Sequence, residues 1–148
     1  MPPEALLDRL LYSVCVAAVA VGVYAPWLTV NPALPADTAV PASSVTGTTA
    51  GIEVFDVVVF GVVGLGLFLR WLSTRKPAEA AVTLSTGIGI AGFCLLYLTT
   101  APRIGFTGTF VPAAGWYLTM STGLLLTLAG GTELLSADIT HRVNSVTN

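Results

Sequence analysis

Four long runs of apolar residues constrain the fold of this chain more than any other feature. The runs cover residues 10–28, 54–72, 80–99 and 114–135. Because a helix rises about 1.5 Å per residue, each run is long enough to cross the hydrocarbon core of a bilayer. Only 9% of the residues are charged, whereas a soluble domain usually carries about 25%. The sequence therefore predicts an all-α integral membrane protein, a single antiparallel bundle of four transmembrane helices.

The segments between the runs predict the topology of the bundle. We expect outer loops at 29–53 and 100–113, an inner turn at 73–79 and a tail at 136–148. With this arrangement, five of the six Lys and Arg residues lie on the inner side. Basic residues are enriched on the cytoplasmic side of membrane proteins. Both termini are therefore predicted to be cytoplasmic, with the chain in the plasma membrane. The alternative, a cleaved signal peptide in the first run, is disfavoured because Pro26 directly follows Ala25.

The first outer loop is polar and contains neither Lys nor Arg. It is too poor in apolar residues to form a domain of its own, so we expect it to rest on the outer ends of the helices. Residues 45–49 have the composition to pair with Ile52 and Val54 as a short β-hairpin.

The end of the first run resembles a broad group of small, uncharacterised prokaryotic membrane proteins, haloarchaeal ones among them. In that group a Pro-Trp pair closes the first of four spans, and a polar loop leads to a glycine just before the second. The matching residues here are Pro26, Trp27, Thr29 and Gly51. The resemblance implies the four-span layout and implies no activity.

Small residues recur at every fourth position of the last run, and such a row lets a neighbouring helix approach closely. The row consists of Gly115, Thr119, Gly123, Thr127 and Gly131. The third run carries a similar row, formed by Ala81, Ser85 and Gly89. Because Gly89 and Gly123 both fall near the middle of their spans, we predict that Ala81, Ser85 and Gly89 face Gly131, Thr127 and Gly123 across one seam.

Asp56 is the most informative polar residue, since a carboxylate within a span is a candidate functional group. One interpretation is a proton or cation site in which Asp56, next to Glu53, pairs with Arg103 or with Thr residues of the outer side. The simpler one, which the sequence favours, is a solvated carboxylate near the positive end of the helix that starts there.

Aromatic residues cluster near the ends of the runs, where amphipathic rings settle at the level of the lipid headgroups. The predicted interface anchors are Tyr24, Trp27, Trp71, Tyr97, Trp116 and Tyr117.

Motifs for catalysis or cofactor binding are weak. Residues 87–92 match GxGxxG but lie inside an apolar run with no strand before them, so close helix packing explains them better. Cys15 and Cys94 form no CxxC motif, and His141 is the only histidine. No catalytic set and no cofactor are therefore expected, and a net charge of −2 gives no reason to expect a nucleic-acid partner.

These observations favour a non-enzymatic accessory or scaffolding subunit that contacts a protein partner, or further copies of itself, through its helices or first outer loop. The rival is a small oligomeric transporter or channel using Asp56 and the hydroxyl groups of the spans. Those hydroxyl groups belong to Ser85, Thr86, Thr119, Ser121 and Thr122. A polar cavity that reaches Asp56 would favour the transporter. A dry bundle with an apolar groove open to lipid would favour the scaffold.

Overall fold

The computed structural model is mostly helical and describes residues 3–35, 47–48, 51–73, 75–100 and 109–146. Within them, four helices and one two-stranded antiparallel sheet are present. The elements in chain order are α1 (Pro3–Tyr24), β1 (Leu28–Val30), α2 (Val54–Leu72), α3 (Lys76–Thr100), β2 (Phe110–Pro112) and α4 (Ala114–Val146).

Three of the described helices are long and apolar enough to cross a membrane. Their candidate spans are Phe55–Leu72, Lys76–Thr99 and Ala114–Ala137, and the apolar part of α1 is the shorter stretch Leu10–Tyr24. The mostly helical architecture of the sequence prediction is thus confirmed, together with three of its four candidate spans by length and composition.

Helix α2 has the predicted bounds, whereas α1 ends earlier than the first run. The helix stops at Tyr24, and Leu28 already belongs to β1. Pro26 is the physical reason, because it lacks an N–H group and disfavours helical backbone at Ala25 before it. The N–H of Ala25 still reaches the carbonyl of Val21 at 3.0 Å, which closes the last turn.

Helices α3 and α4 are longer than their apolar runs. Helix α3 begins at Lys76, which places Pro77 in the first turn, where a missing N–H group leaves no helical bond unmade. Helix α4 continues to Val146, although the sequence suggested a tail after residue 135. The stretch beyond residue 135 contains neither Gly nor Pro, so nothing in it stops the helix.

The sheet joins the two segments that were predicted to be separate outer loops. Leu28 pairs with Pro112, Thr29 with Val111 and Val30 with Phe110. The short hairpin predicted within the first loop is not formed by the described residues of that loop, because Val54 is the first residue of α2. Most of residues 45–49 lie outside the described residues.

Helix α4 packs between α1 and α3, and α3 also packs on α2. The fully buried side chains come from all these elements and include Val19, Val59, Ile90 and Thr119. We call the end that carries β1 and β2 the sheet end, and the end at the link between α2 and α3 the turn end.

The row of small residues on α4 serves two neighbours rather than one. A Cβ atom on Gly22 of α1 would lie only 2.5 Å from Oγ1 of Thr119, so this half of the row faces α1. Further along, a Cβ atom on Gly123 would lie 2.9 Å from the backbone nitrogen of Ala91, so this half faces α3. Gly115 packs against the end of α1 in the same way as Thr119.

The seam between α3 and α4 therefore has a different register from the predicted one. A Cβ atom on Gly87, not Gly89, would approach the Gly123 carbonyl, at 2.7 Å, and Gly131 has open space beside it. Ala81, Ser85 and Gly89 lie toward α2 instead. Positions four apart drift about 40° around a helix of 3.6 residues per turn, so a long row turns from one neighbour to the next.

Candidate functional sites at the two ends of the bundle

Asp56 lies at the sheet end, in the first turn of α2. Its side chain is only 5% exposed. Oδ2 of Asp56 accepts a hydrogen bond of 2.5 Å from the backbone N–H of Glu53, the N-cap residue. A carboxylate that reaches back to the N-cap N–H group completes one side of a capping box, and its charge is stabilised by the helix dipole. The position of Asp56 thus has a sufficient structural cause.

Glu53 holds the first loop against the ends of the helices. Its Oε2 accepts a hydrogen bond of 2.6 Å from the N–H of Gly47. The carbonyl of Gly47 in turn accepts hydrogen bonds of 2.8 Å from the N–H groups of Trp27 and Leu28. Gly47 has φ of +89°, and a Cβ atom there would collide with the Tyr97 hydroxyl. This position therefore requires glycine.

The two carboxyl-bearing residues predicted for the polar site, Asp56 and Glu53, are brought together, while Arg103 lies outside the described residues. Together with the aromatic residues Trp27, Phe55 and Tyr97, they line a cavity of about 10 Å³. That volume holds about one water molecule. The Tyr97 ring packs edge-on against Trp27 and Phe55, at centroid distances of 5.2 and 5.4 Å.

Three of the six predicted interface anchors belong to the core instead. Trp27, Tyr97 and Trp116 are 4%, 5% and 9% exposed. The indole N–H of Trp27 donates to the carbonyl of Gly22 at 3.1 Å, and that of Trp116 donates to the carbonyl of Cys94 at 3.1 Å. Because their polar edges find partners inside the bundle, these indoles need no headgroup.

The other three anchors, Tyr24, Trp71 and Tyr117, have exposed side chains. Trp71 is 81% exposed and lies at the turn end. These three retain the geometry that an anchor at a membrane interface requires.

The hydroxyl groups of the helices mostly bond to their own backbone. Thr86 donates to the carbonyl of Val82 at 2.8 Å, and Thr122 donates to that of Leu118 at 2.8 Å. Thr119 is completely buried and donates to the carbonyl of Gly115 at 2.9 Å. A hydroxyl group whose proton is used in this way does not by itself form part of a polar path.

Arg70 at the turn end is a site residue that the sequence prediction counted only as one of the basic residues. Its Nη1 donates to Oγ1 of Thr83 at 2.6 Å, which joins α2 to α3. Its guanidinium carbon lies 4.7 Å from the ring centroid of Tyr12 on α1, a cation–π contact. The hydroxyl oxygen of Tyr12 is buried, and the described residues give it no hydrogen bond of ordinary geometry. The signal in the sequence was an Arg near the end of a run whose one other charged residue is Asp56.

An apolar groove of about 270 Å³ runs between α2 and α3 on the outside of the bundle. It is lined by Val62, Leu65, Gly66, Leu69, Ala81, Val82, Ser85 and Thr86. The groove lies near Arg70 but, unlike the small cavity at the sheet end, it is wide and mainly apolar.

Potential metal ligands are scattered. Among the side chains that the structure describes, no three His, Cys, Asp or Glu residues are close enough to hold one ion. Cys15 and Cys94 are buried free thiols, on α1 and α3.

No protein-family model matches the chain, and neither a curated protein nor a solved structure matches it.

Proposed function

We propose that this protein is a non-enzymatic, multi-pass subunit of the plasma membrane that supports or positions a protein partner. In this proposal all four helices cross the bilayer, with both termini in the cytoplasm. The partner is another membrane protein or further copies of this chain, and it is contacted through the helices or through the first outer loop.

The proposal that the chain spans a membrane is supported by the outward faces of its helices. Large apolar side chains that are more than half exposed occur on every helix; examples are Val14, Phe68, Leu96 and Leu128. In water such surfaces would be costly, whereas lipid tails solvate them. The proposed orientation is supported by Arg70, Arg75 and Lys76, which all lie at the turn end.

The observation that favours the scaffold proposal over the transporter is the small size of the cavity beside Asp56. Among the described residues, that cavity measures about 10 Å³, enough for about one water molecule. The side chain of Asp56 is already engaged as a helix cap. A transport path needs a wider polar cavity than this, one that connects the two sides.

Helix α2 offers the most suitable surface for a partner helix. Gly61 and Gly64 both lie on its outward side, where an added Cβ atom would meet nothing within 4 Å. Exposed Val57 and Phe68 flank them along the same stripe of the helix. Small residues allow two helices in a membrane to approach each other closely. Contact with lipid alone does not require small residues.

The test is affinity purification of the tagged full-length chain from native membranes, followed by identification of the proteins that co-purify. We expect a stoichiometric partner whose recovery falls at least fivefold when Gly61→Leu and Gly64→Leu are combined. The control is Gly131→Leu, the same substitution at an open position of α4. Recovery of the same proteins from all three chains would reject the α2 surface.

The rival function is tested in proteoliposomes that contain only this chain. We expect no proton or cation flux above that of empty liposomes, and no difference between the wild type and Asp56→Asn. A flux that Asp56→Asn abolishes would replace the scaffold by a transporter.

A further inference from the structure

The turn end of the bundle concentrates positive charge. Arg70 lies in the last turn of α2, Arg75 lies in the link, and Lys76 begins α3. Glu79 follows within the first turn of α3 and offsets one of these charges. In the described part of the chain, no ion pair joins any of the three bases to a carboxylate. The side chains of Arg75 and Lys76 are exposed.

The apolar groove between α2 and α3 runs toward this basic turn. On α2 its lining extends from Val62 to Leu69, about 10 Å at 1.5 Å per residue, and Leu69 directly precedes Arg70. Its walls are mainly aliphatic, with Ser85 and Thr86 as the polar members, and the proton of the Thr86 hydroxyl is already donated to the carbonyl of Val82. The groove therefore offers contact to a flexible apolar chain and little to a polar ligand.

The dimensions of the groove suit a thin hydrocarbon chain better than a whole helix. A helix with its side chains is about 10 Å across, so a 10 Å length of helix fills several times the groove volume of about 270 Å³. A thin hydrocarbon chain fits such a space. The basic residues at the end of the groove favour an anionic group at the end of that hydrocarbon chain.

We propose that the groove between α2 and α3 binds one acyl chain of an anionic phospholipid, whose phosphate is held by Arg75 and Lys76. This inference rests on the part of the proposed function that places the chain in a bilayer, and it is independent of any protein partner. A zwitterionic lipid has the same hydrocarbon chain but no net charge for the two bases. Basic clusters at the ends of membrane helices recognise anionic headgroups in this way.

Arg70 adds positive charge near the site but is not one of the two residues that hold the phosphate. Because its guanidinium is engaged by Thr83 and lies over the Tyr12 ring, its replacement would disturb the packing of three helices. Arg75 and Lys76 carry no such contacts among the described residues. They are therefore the residues whose substitution tests binding without a change in the fold.

The experiment is native mass spectrometry of the purified full-length protein in detergent, titrated with phosphatidylglycerol or with phosphatidylcholine of the same chain length. We expect one tightly bound phosphatidylglycerol and at least tenfold weaker binding of phosphatidylcholine. Replacing both bases, R75Q with K76Q, should weaken phosphatidylglycerol about 30-fold, since each base near an anionic lipid contributes roughly a fivefold factor. Free glycerol phosphate should not compete, because it lacks the acyl chain.

Filling the groove is the second arm. Ala81→Phe should abolish the tight binding while Gly131→Phe, at an open position on α4, should leave it unchanged. Thermal unfolding of each variant in detergent checks its fold, and Ala81→Leu replaces Ala81→Phe if the larger ring prevents folding. Equal affinity for the two lipids, competition by glycerol phosphate, or unchanged binding after the groove is filled would each overturn the proposal. If tight lipid binding persists although no protein co-purifies with the chain, the lipid site stands while the scaffold proposal fails.

Discussion

At the scale of single residues, the polar groups of this chain mainly fasten one part of the backbone to another. Glu53 and Asp56 illustrate this, because each carboxylate accepts a backbone hydrogen bond at the start of α2. The sequence correctly placed them together at a helix start but did not reveal their link to Gly47, whose neighbours in space come from three separate segments.

The cap made by Asp56 leads to a prediction about its chemistry. Asp56→Ala should lower the free energy of unfolding by about 1 kcal/mol, as the loss of a helix cap usually does. Asp56→Asn should cost clearly less, because its amide oxygen still accepts the hydrogen bond from Glu53. Thermal unfolding in detergent compares the two. Equal losses would mean that the charge of Asp56, and not its hydrogen bond, holds the helix start.

The backbone of Gly47 leads to a second prediction. Gly47→Ala should destabilise the protein by roughly 1–3 kcal/mol, since φ is +89° and the new Cβ atom meets the Tyr97 hydroxyl. Gly51→Ala is the matched control, because Gly51 also has positive φ but open space around it. Gly51→Ala should lower the free energy of unfolding by less than Gly47→Ala does. In a Tyr97→Phe background the cost of Gly47→Ala should fall, and a cycle of chemical denaturation experiments measures that coupling.

At the scale of elements, the seam between α3 and α4 depends on glycines that the two backbones approach closely. Gly123→Leu should destabilise the bundle by at least about 1–3 kcal/mol, the usual cost of overpacking, because the nearest atoms include the backbone of Ala91. Gly131→Leu belongs to the same sequence row and should be tolerated, since it faces open space. Unfolding in detergent distinguishes them. Similar melting temperatures for the two variants would contradict this seam.

How far the sequence predicts the elements depends on the range of the interactions that set them. The bounds of α2 follow from a mostly apolar run between Glu53 and Ser73, whose charged residues lie only in its first and last turns, and this is local information. The end of α1 depends on Pro26, also local, although the apolar residues beyond it suggested a longer helix. The pairing of Leu28 with Pro112 joins distant positions, and no local pattern specifies it.

The same limit applies to the sites. Trp27 and Trp116 look like interface residues in the sequence, and only their hydrogen bonds to Gly22 and Cys94 identify them as core. The groove between α2 and α3 forms because Ala81 and Ser85 face α2. Their spacing of four residues had predicted that they face α4. A rotation of about 40° between positions four apart matters little for one pair of residues. Over a whole helix it turns the row from one neighbouring helix to the next.

At the scale of the whole molecule, one topology follows from the proposed membrane insertion. Thr48 lies at the sheet end and Arg75 at the turn end, so cysteines introduced at these positions should face opposite sides. Thr48→Cys should react with an impermeant maleimide added to intact cells, and Arg75→Cys should react only after lysis. Cys15 and Cys94 are buried and give little background. Labelling of Arg75→Cys in intact cells would invert the proposed orientation.

The pairing of β1 with β2 also determines how late in synthesis the bundle can form. Strand β1 emerges early, directly after the first helix, but its partner β2 comes just before the last one. At about 5–20 residues per second, the ribosome leaves β1 without its partner for several seconds. During that interval the first helix also lacks α4, its main neighbour. The bundle can therefore close only after α4 has been made, when β1 and α1 meet their partners β2 and α4.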